Sequence, residues 1–212
     1  MAKEELKIGE ISKPRFEYRT FGRCFKKQAE RMARLSVPVP EKVWERKSVE
    51  TYIVSRTNNV NNTKIRDGKM DIKTFIQNID GFEQWNPLMK GAFPISAEVL
   101  KTQVFPAFMV DNLPALEKET YTVEEFLEIV KKHPDLQAVT VEKIRYGYMV
   151  NDTICETGDV YINGAKIVTI NSESTEIEDL KKTVRDVGLE GFENINYLQA
   201  IKRVTGLIDK PL

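Results

Sequence analysis

The chain is organised around residues 62–73, which read NTKIRDGKMDIK. Two short strands are predicted on either side of Asp67-Gly68, because this dipeptide between alternating residues is a strong signal for a tight hairpin turn. Successive side chains of a strand point to opposite faces, so the hairpin has one charged face and one apolar face. The charged face carries Lys64, Arg66, Lys69, Asp71 and Lys73, and the apolar face carries Ile65, Met70 and Ile72.

The charged face of this hairpin has two interpretations. In the first, it is the solvated side of an ordinary antiparallel sheet. In the second, it is a basic wall that binds an anion. The hairpin alone does not decide between them, so the rest of the chain has to.

Composition describes an ordinary globular protein. The chain has 212 residues, 41% hydrophobic and 30% charged, which is enough for one substantial core. Net charge is zero, although residues 13–47 carry eleven Lys or Arg against four Asp or Glu. Nucleic-acid-binding domains are normally basic overall, so a nucleic acid is not expected as the main partner. No linker divides the sequence, and residues 1–212 are predicted to form one domain.

Cysteine usage and hydropathy bear on location. Cys24 and Cys155 match no metal or redox spacing and are predicted to be buried free thiols in a reducing compartment. The first ten residues contain no apolar run, and no segment is long enough to span a membrane. We therefore expect a cytoplasmic protein without a membrane partner. His133, before Pro134, is expected to be a surface residue and not a catalyst.

Periodicity predicts an α+β protein with a largely antiparallel sheet and helices packed outside it. Strands are predicted over residues 14–21, 42–55, 62–75, 138–146, 153–161 and 166–172. Helices are predicted over residues 21–35, 96–105, 122–132, 175–188 and 196–205. The first-turn sequence Thr122-Val-Glu-Glu125 is a capping box, and Gly188 is suited to end a helix. The remainder of residues 76–120 is expected to be irregular.

Charged faces recur on other predicted strands, as Arg15-x-Glu17-x-Arg19 and Lys143-x-Arg145, with Glu156 and Glu173 on later strands. If the apolar stripes of the helices cover the outside of the sheet, the charged faces must line the inside of a closed barrel. Buried like charges are costly unless counter-charges pair with them. Such an interior implies a polyanionic ligand, aided by a divalent metal on the carboxylates.

The order of these features resembles the CYTH superfamily, the triphosphate tunnel metalloenzymes. The resemblance covers nearly the whole chain, although each motif is short, and the hairpin and Glu173-Ser174 are its most specific parts. Its further marks are the charged N-terminal strand, Thr51-Tyr52, Lys143-x-Arg145 and Asn196-Tyr197. The family implies a closed antiparallel β-tunnel of about eight strands with helices outside.

The resemblance also implies a function, namely metal-dependent hydrolysis of a triphosphate-containing compound with Mg²⁺ or Mn²⁺ as cofactor. Members act on inorganic tripolyphosphate, thiamine triphosphate or RNA 5′-triphosphates, or cyclise ATP. The partner would be a small-molecule polyphosphate or nucleotide, and a homodimer is one option for the assembly. By position, the family implies Lys64, Arg66, Lys73, Lys143 and Arg145 as triphosphate-binding residues. It implies Glu17, Glu156 and Glu173 as metal ligands, Asp159 as a further one, and Arg19 and Lys73 as catalytic residues.

The sequence departs from the family where carboxylates are expected. The family signature is Glu-x-Glu-x-Lys, whereas this chain has Arg15-x-Glu17-x-Arg19, and it has Asn171-x-Glu173 where Glu-x-Glu is common. The alternative is therefore a non-catalytic polyphosphate-binding or nucleotide-binding module with an incomplete metal site. A third alternative is a structural or interaction protein whose charged strands are solvated faces.

Overall fold

Eight strands close into an antiparallel barrel in the computed structural model, which describes residues 13–39 and 44–212. The barrel strands are β1 (Arg15–Gly22), β2 (Glu45–Ser55), β3 (Asn61–Arg66), β4 (Lys69–Ile79), β5 (Phe82–Ala92), β8 (Leu136–Val150), β9 (Thr153–Ile162) and β10 (Ala165–Ser174). Their order around the barrel is β1-β10-β9-β8-β2-β3-β4-β5, and β5 pairs with β1 to close it. Two short strands, β6 (Ile95–Ser96) and β7 (Thr120–Tyr121), form a separate pair. The α+β class and the closed antiparallel sheet are confirmed.

The helices lie close to where the sequence predicts them, although the first begins at Lys26 and Phe21 belongs to β1. They are α1 (Lys26–Leu35), α2 (Ala97–Val99), a π-helical segment (Leu100–Val104), α3 (Phe105–Phe108), α4 (Val123–Lys132), α5 (Ile177–Val187) and α6 (Tyr197–Val204). The Thr122 capping box begins α4, and Gly188 ends α5 with a φ of 81°, which a glycine adopts without strain. No helix in the described ranges is long and apolar enough to cross a membrane.

The outside of the barrel is apolar and covered by helices. Ile65, Met70 and Ile72 are buried against the segment from α2 to α4, so the apolar face of the hairpin points outward as predicted. On the opposite wall, outward residues of β1, β9 and β10 pack against α1 and α5. Because the helices occupy the outer face, the alternating charged residues of the strands point into the barrel.

The inside of the barrel changes character along its length. Toward one end the inward side chains are apolar, and α6 packs against them with Leu198 and Ile201, which are completely buried. This apolar set includes Phe21, Val54, Val139, Val141, Val160 and Ile162. Toward the other end the inward side chains are charged. Within the described residues, α6 therefore covers the apolar end of the barrel.

Residues 76–120 are more regular than predicted. Phe82–Ala92 forms the long strand β5, although this stretch was expected to be irregular. Proline cannot donate a ladder hydrogen bond and is confined to edges or irregularities of sheets. Pro87 lies opposite Lys73, where the register between β4 and β5 shifts, and this irregularity accommodates it. The predicted strand over residues 42–55 begins at Glu45, and residues 42 and 43 lie outside the described residues.

Two local predictions were wrong. His133 is buried and not on the surface. Its ring is satisfied there, because Nε2 is hydrogen-bonded to the carbonyl oxygen of Asp111 and Nδ1 accepts a hydrogen bond from the backbone N–H of Asp135. Cys24 is exposed, whereas Cys155 is buried as predicted. Burial raises the pKa of the Cys155 thiol to about 11, so this thiol is chemically inert at neutral pH.

Candidate functional site

The charged half of the barrel, called the charged interior below, contains more cations than carboxylates. Its eight cations are Arg15, Arg19, Arg46, Lys64, Arg66, Lys73, Lys143 and Arg145. Its six carboxylates are Glu17, Glu50, Asp71, Glu83, Glu156 and Glu173. The formal excess is two positive charges, which favours an anionic ligand.

Glu50 is the centre of one group of charges. This carboxylate of β2 has no solvent exposure, and its oxygens lie 2.8 Å from Lys143 Nζ, 3.3 Å from Lys64 Nζ and 3.6 Å from Arg66 Nη1. Burial alone would raise the pKa of Glu50. The charges of Lys143 and Lys64 outweigh burial and hold that pKa far below its usual range. Glu50 is therefore ionised and keeps three cations together at this wall.

Lys143 lies at the boundary between the charged and apolar halves. Its Nζ donates to Glu50 and, at 2.8 Å, to the hydroxyl of Tyr52, and it lies 3.8 Å from the ring centroid of Tyr197. The two tyrosine rings stack at 5.6 Å. Burial, reinforced by nearby Lys64, lowers the pKa of Lys143 well below its usual value, while Glu50 opposes the shift. A bound anion would relieve the repulsion between these cations.

Glu156 is the centre of a second group, which consists of arginines. Its oxygens lie 2.7 Å from Arg46 Nη2, 3.3 Å from Arg145 Nη1 and 3.9 Å from Arg19 Nη2. Burial raises its pKa, but the charges of Arg145 and Arg19 outweigh burial and the net pKa is lowered. Gly158 lies opposite Arg145 in the β8–β9 register, and a Cβ there would come within 2.7 Å of the Ile144 carbonyl oxygen and 3.0 Å of Arg145 Cγ. The glycine therefore lets β8 and the Arg145 side chain approach β9 closely.

Glu17 and Glu173 face each other across β1 and β10 as register partners. Glu17 Oε1 accepts a 2.6 Å hydrogen bond from Arg19 Nε, and Glu173 Oε1 accepts a 3.2 Å bond from Arg15 Nη1. Burial raises the pKa of Glu17, but the charges of Arg19 and Lys73 outweigh it and the net pKa is lowered. Lys73 makes no ion pair within 4 Å in the described part of the chain. It is therefore the most readily available cation for a ligand.

The carboxylates do not fit a divalent metal as they stand. Glu17, Glu156 and Glu173 lie on neighbouring strands, as a shared site would require, but each is bonded to at least one arginine. Within residues 13–39 and 44–212, no group of three or more His, Cys, Asp or Glu side chains is arranged to bind a metal ion. Asp159, the further predicted ligand, pairs instead with Lys166 at 2.7 Å and is 38% exposed. Side chains alternate along β9, so Asp159 points to the outer surface whereas Glu156 points into the barrel.

Arg145 Nε and the hydroxyl of Tyr197 are buried donors of the charged interior for which the described residues provide no hydrogen-bond acceptor. Leaving a buried donor unpaired costs free energy, so such groups usually have a function or a missing partner. An oxygen-rich anion in the charged interior would provide acceptors for both.

Water reaches the charged interior from the end away from α6. The side chains of Arg46 and Arg66 are 29% exposed, whereas that of Lys143, nearer the helix, is 2% exposed. Two surface cavities of about 680 and 500 Å³ contain no side chain of the charged interior in their walls. A ligand of the charged residues therefore has to enter through the open end of the barrel.

The structure brings together the basic residues that the sequence analysis singled out. Lys64, Arg66 and Lys143 share Glu50, Arg19 and Arg145 share Glu156, and Lys73 lies near Glu17. Sequence analysis missed Glu50, Arg46 and Glu83. For the first two a signal was present, because Arg46, Ser48, Glu50 and Tyr52 alternate along β2 with one face in common.

No protein-family model and no curated protein matches the sequence. Solved structures do match in fold. The PH1012 protein of Pyrococcus horikoshii is 16% identical with a TM-score of 0.50, over 88% of this chain and 99% of that chain. A Bacillus halodurans protein described as a candidate adenylate cyclase is 12% identical with a TM-score of 0.49, over 88% and 97%. HpAC1 of Hippeastrum, described as an adenylyl cyclase candidate with a dominant triphosphatase activity, is 10% identical with a TM-score of 0.44, over 92% and 97%.

At 16% identity, the likeness to PH1012 shows a shared fold and nothing about activity. The closed eight-stranded antiparallel barrel with helices outside is the architecture that the resemblance to the triphosphate tunnel metalloenzymes implies. The resemblance is confirmed at the level of the fold.

Proposed function

We propose that the chain binds the triphosphate group of a small molecule, such as inorganic tripolyphosphate or a nucleotide, in the charged interior. The observation that carries this proposal is the cationic excess inside a closed barrel, where eight cations face six carboxylates. A solvated sheet face would not be enclosed in this way. A triphosphate supplies several negative charges and many acceptor oxygens in a narrow, extended shape.

The cations line more than one wall of the barrel, which suits such a ligand. Lys64, Arg66 and Lys73 lie on β3 and β4, whereas Lys143 and Arg145 lie on β8. Of these, Lys143 contacts the ring of Tyr197 in α6. Hydrogen bonds between ionised groups and phosphate are shorter and stronger than neutral ones, and arginine can make them in pairs. The ligand would accept from Arg145 Nε and Tyr197, which lack partners among the described residues.

Hydrolysis of the bound triphosphate is a second candidate, and the Glu83 carboxylate favours it. Burial raises the pKa of Glu83, which accepts hydrogen bonds from Trp85 and Asn196 beside Glu17. A carboxylate with a raised pKa is suited to transfer protons. Arg19 and Lys73, the predicted catalytic residues, would stabilise charge on the transferred phosphoryl group. If hydrolysis needed Mg²⁺ or Mn²⁺, the metal ligands would be Glu17, Glu156 and Glu173. These three carboxylates are hydrogen-bonded to arginines, and this pairing does not fit a metal site.

Calorimetric titration with sodium tripolyphosphate, ATP and thiamine triphosphate tests binding, with sodium sulfate as the control anion. We expect saturable binding of at least one triphosphate and much weaker binding of sulfate. Equal responses to all four anions, or none, would contradict the proposal. A parallel assay of phosphate release, with and without Mg²⁺ or Mn²⁺, separates the two candidates, because binding without release supports the binding module and release supports hydrolysis.

A further inference from the structure

We infer that guanidinium groups take the place of a divalent cation in the charged interior, so that the triphosphate binds without metal. This inference rests on the proposed function and adds that the site needs no divalent cation to bind the triphosphate. Its basis is that all three carboxylates predicted to bind metal are bonded to arginines. Glu173 is bonded to Arg15, Glu17 to Arg19, and Glu156 to Arg46 and Arg145.

The local charge balance supports metal-free binding. Four guanidinium groups surround these three carboxylates and Glu83, the register partner of Glu17, so four positive charges balance four negative ones and nearby Lys73 makes the cluster positive. A divalent ion would have to displace a guanidinium from its carboxylate and then remain close to it. A polyanion needs no such exchange, because arginine can bond a phosphate oxygen and a carboxylate through different N–H groups.

Arg15 is the arginine that occupies Glu173, one of the three carboxylates predicted to bind metal. It is 6% exposed, at the start of β1, and its guanidinium lies against Glu173, the register partner of Glu17. Positions 15 and 17 share one face of the strand. An acidic side chain at position 15 would replace this guanidinium with a further carboxylate beside Glu17, Glu173 and Glu83, and carboxylate oxygens are the ligands that Mg²⁺ and Mn²⁺ accept.

The first experiment compares tripolyphosphate binding by the wild-type protein in EDTA and in excess Mn²⁺. We expect affinity in EDTA to equal or exceed that in Mn²⁺, because Mn²⁺ also binds free tripolyphosphate. Binding that appears only with Mn²⁺ would overturn the inference and leave the proposed function intact. Absence of binding under both conditions would overturn the proposed function itself, and the inference with it.

The second experiment uses Arg15→Glu, with Arg15→Gln as the matched control that removes the charge without adding a ligand. Arg15→Gln should bind tripolyphosphate about tenfold more weakly in EDTA, the size expected for losing one charge-assisted contact. Arg15→Glu should bind it more weakly still in EDTA, because the added carboxylate repels the polyanion. Mn²⁺ should restore affinity only in Arg15→Glu, and Mn²⁺ alone should bind only to that variant. Restoration in both variants, or in neither, would overturn the inference. Circular dichroism checks that each variant is folded. If Arg15→Glu does not fold, the comparison of wild-type binding in EDTA and in Mn²⁺ tests the inference by itself.

Discussion

Lys143 Nζ lies 2.8 Å from Glu50 Oε2, at the level where the charged interior meets the apolar plug. The same amine lies over the ring of Tyr197, the first residue of α6. The pair therefore joins two features of the barrel, the helix that closes one end and the cations that line the other.

Replacing Glu50 with glutamine should destabilise the fold severely. The change leaves Lys143, only 3% exposed, without a compensating charge and with Lys64 close by. Breaking a buried ion pair from one side costs about 3–5 kcal/mol in the free energy of unfolding. Urea unfolding measures this loss.

Glu45→Gln is the matched control for that change, because Glu45 pairs with Lys47 on the surface and its side chain is 43% exposed. Its loss should leave the free energy of unfolding nearly unchanged, because exposed ion pairs contribute little. Similar costs for the two variants would show that Glu50 does not hold the charged interior together.

Acid should destabilise the protein through the charged interior. Glu17, Glu50 and Glu156 have pKa values lowered from the ordinary 4.5 by neighbouring cations. Their stabilisation is fully present above that value and is lost as pH falls toward the lowered pKa values. The raised pKa of Glu83 acts in the opposite sense. The free energy of unfolding should therefore fall below about pH 4.5, and less steeply in Glu50→Gln. Parallel pH profiles would contradict this assignment.

Arg66→Met should weaken tripolyphosphate binding by about tenfold or more, since a charge-assisted hydrogen bond contributes roughly 1.5–3 kcal/mol. Arg66 is partly exposed, 3.6 Å from Glu50 and 3.9 Å from Asp71, so its removal should cost about 1 kcal/mol or less of stability. Lys47→Met is the control, because the Lys47 side chain is 70% exposed and pairs with Glu45. Calorimetric titration compares the two, and equal affinities would mean that Arg66 does not contact the ligand.

Leu198→Ala tests whether α6 closes the barrel. Leu198 is completely buried in the apolar half, and truncating such a leucine costs about 2–5 kcal/mol through lost burial and the cavity left behind. Leu35→Ala, at a leucine that is 45% exposed, is the control and should cost about 1 kcal/mol or less. Thermal and urea unfolding of both variants provide the comparison, and a cost below 1 kcal/mol for Leu198→Ala would show that the helix does not support the barrel.

The alternation of the hairpin over residues 62–73 was enough to predict both faces of its wall. Successive side chains of a strand point to opposite faces, so Lys64 and Ile65 lie on different sides of the wall. The helices bury the face that carries Ile65, and Lys64 therefore points into the barrel. Glu50 was missed because the predicted strand 42–55 was judged by its β-branched and aromatic residues. Of these, Val49 is 63% exposed, whereas its neighbour Glu50 is fully buried. Propensity indicates a strand but does not indicate which face is inside.

The pairing of Arg15 with Glu173 could not be predicted from spacing along the chain. The two residues are 158 positions apart and meet only because β1 lies beside β10 in the closed barrel. The same holds for the plug, since the stripe of α6 predicts a buried helix but not that it fills one end of a barrel. The single domain over residues 1–212, the cytoplasmic location and a homodimer remain predictions.

The most direct test of the account is a crystal structure of the protein with tripolyphosphate. We expect phosphate groups inside the charged half of the barrel, within hydrogen-bond distance of Arg66, Lys73 and Arg145, with the tripolyphosphate extending toward the end away from α6. Phosphate bound only on the outer surface, with the ion pairs of Glu50 and Glu156 unchanged and no ligand between the strands, would contradict it.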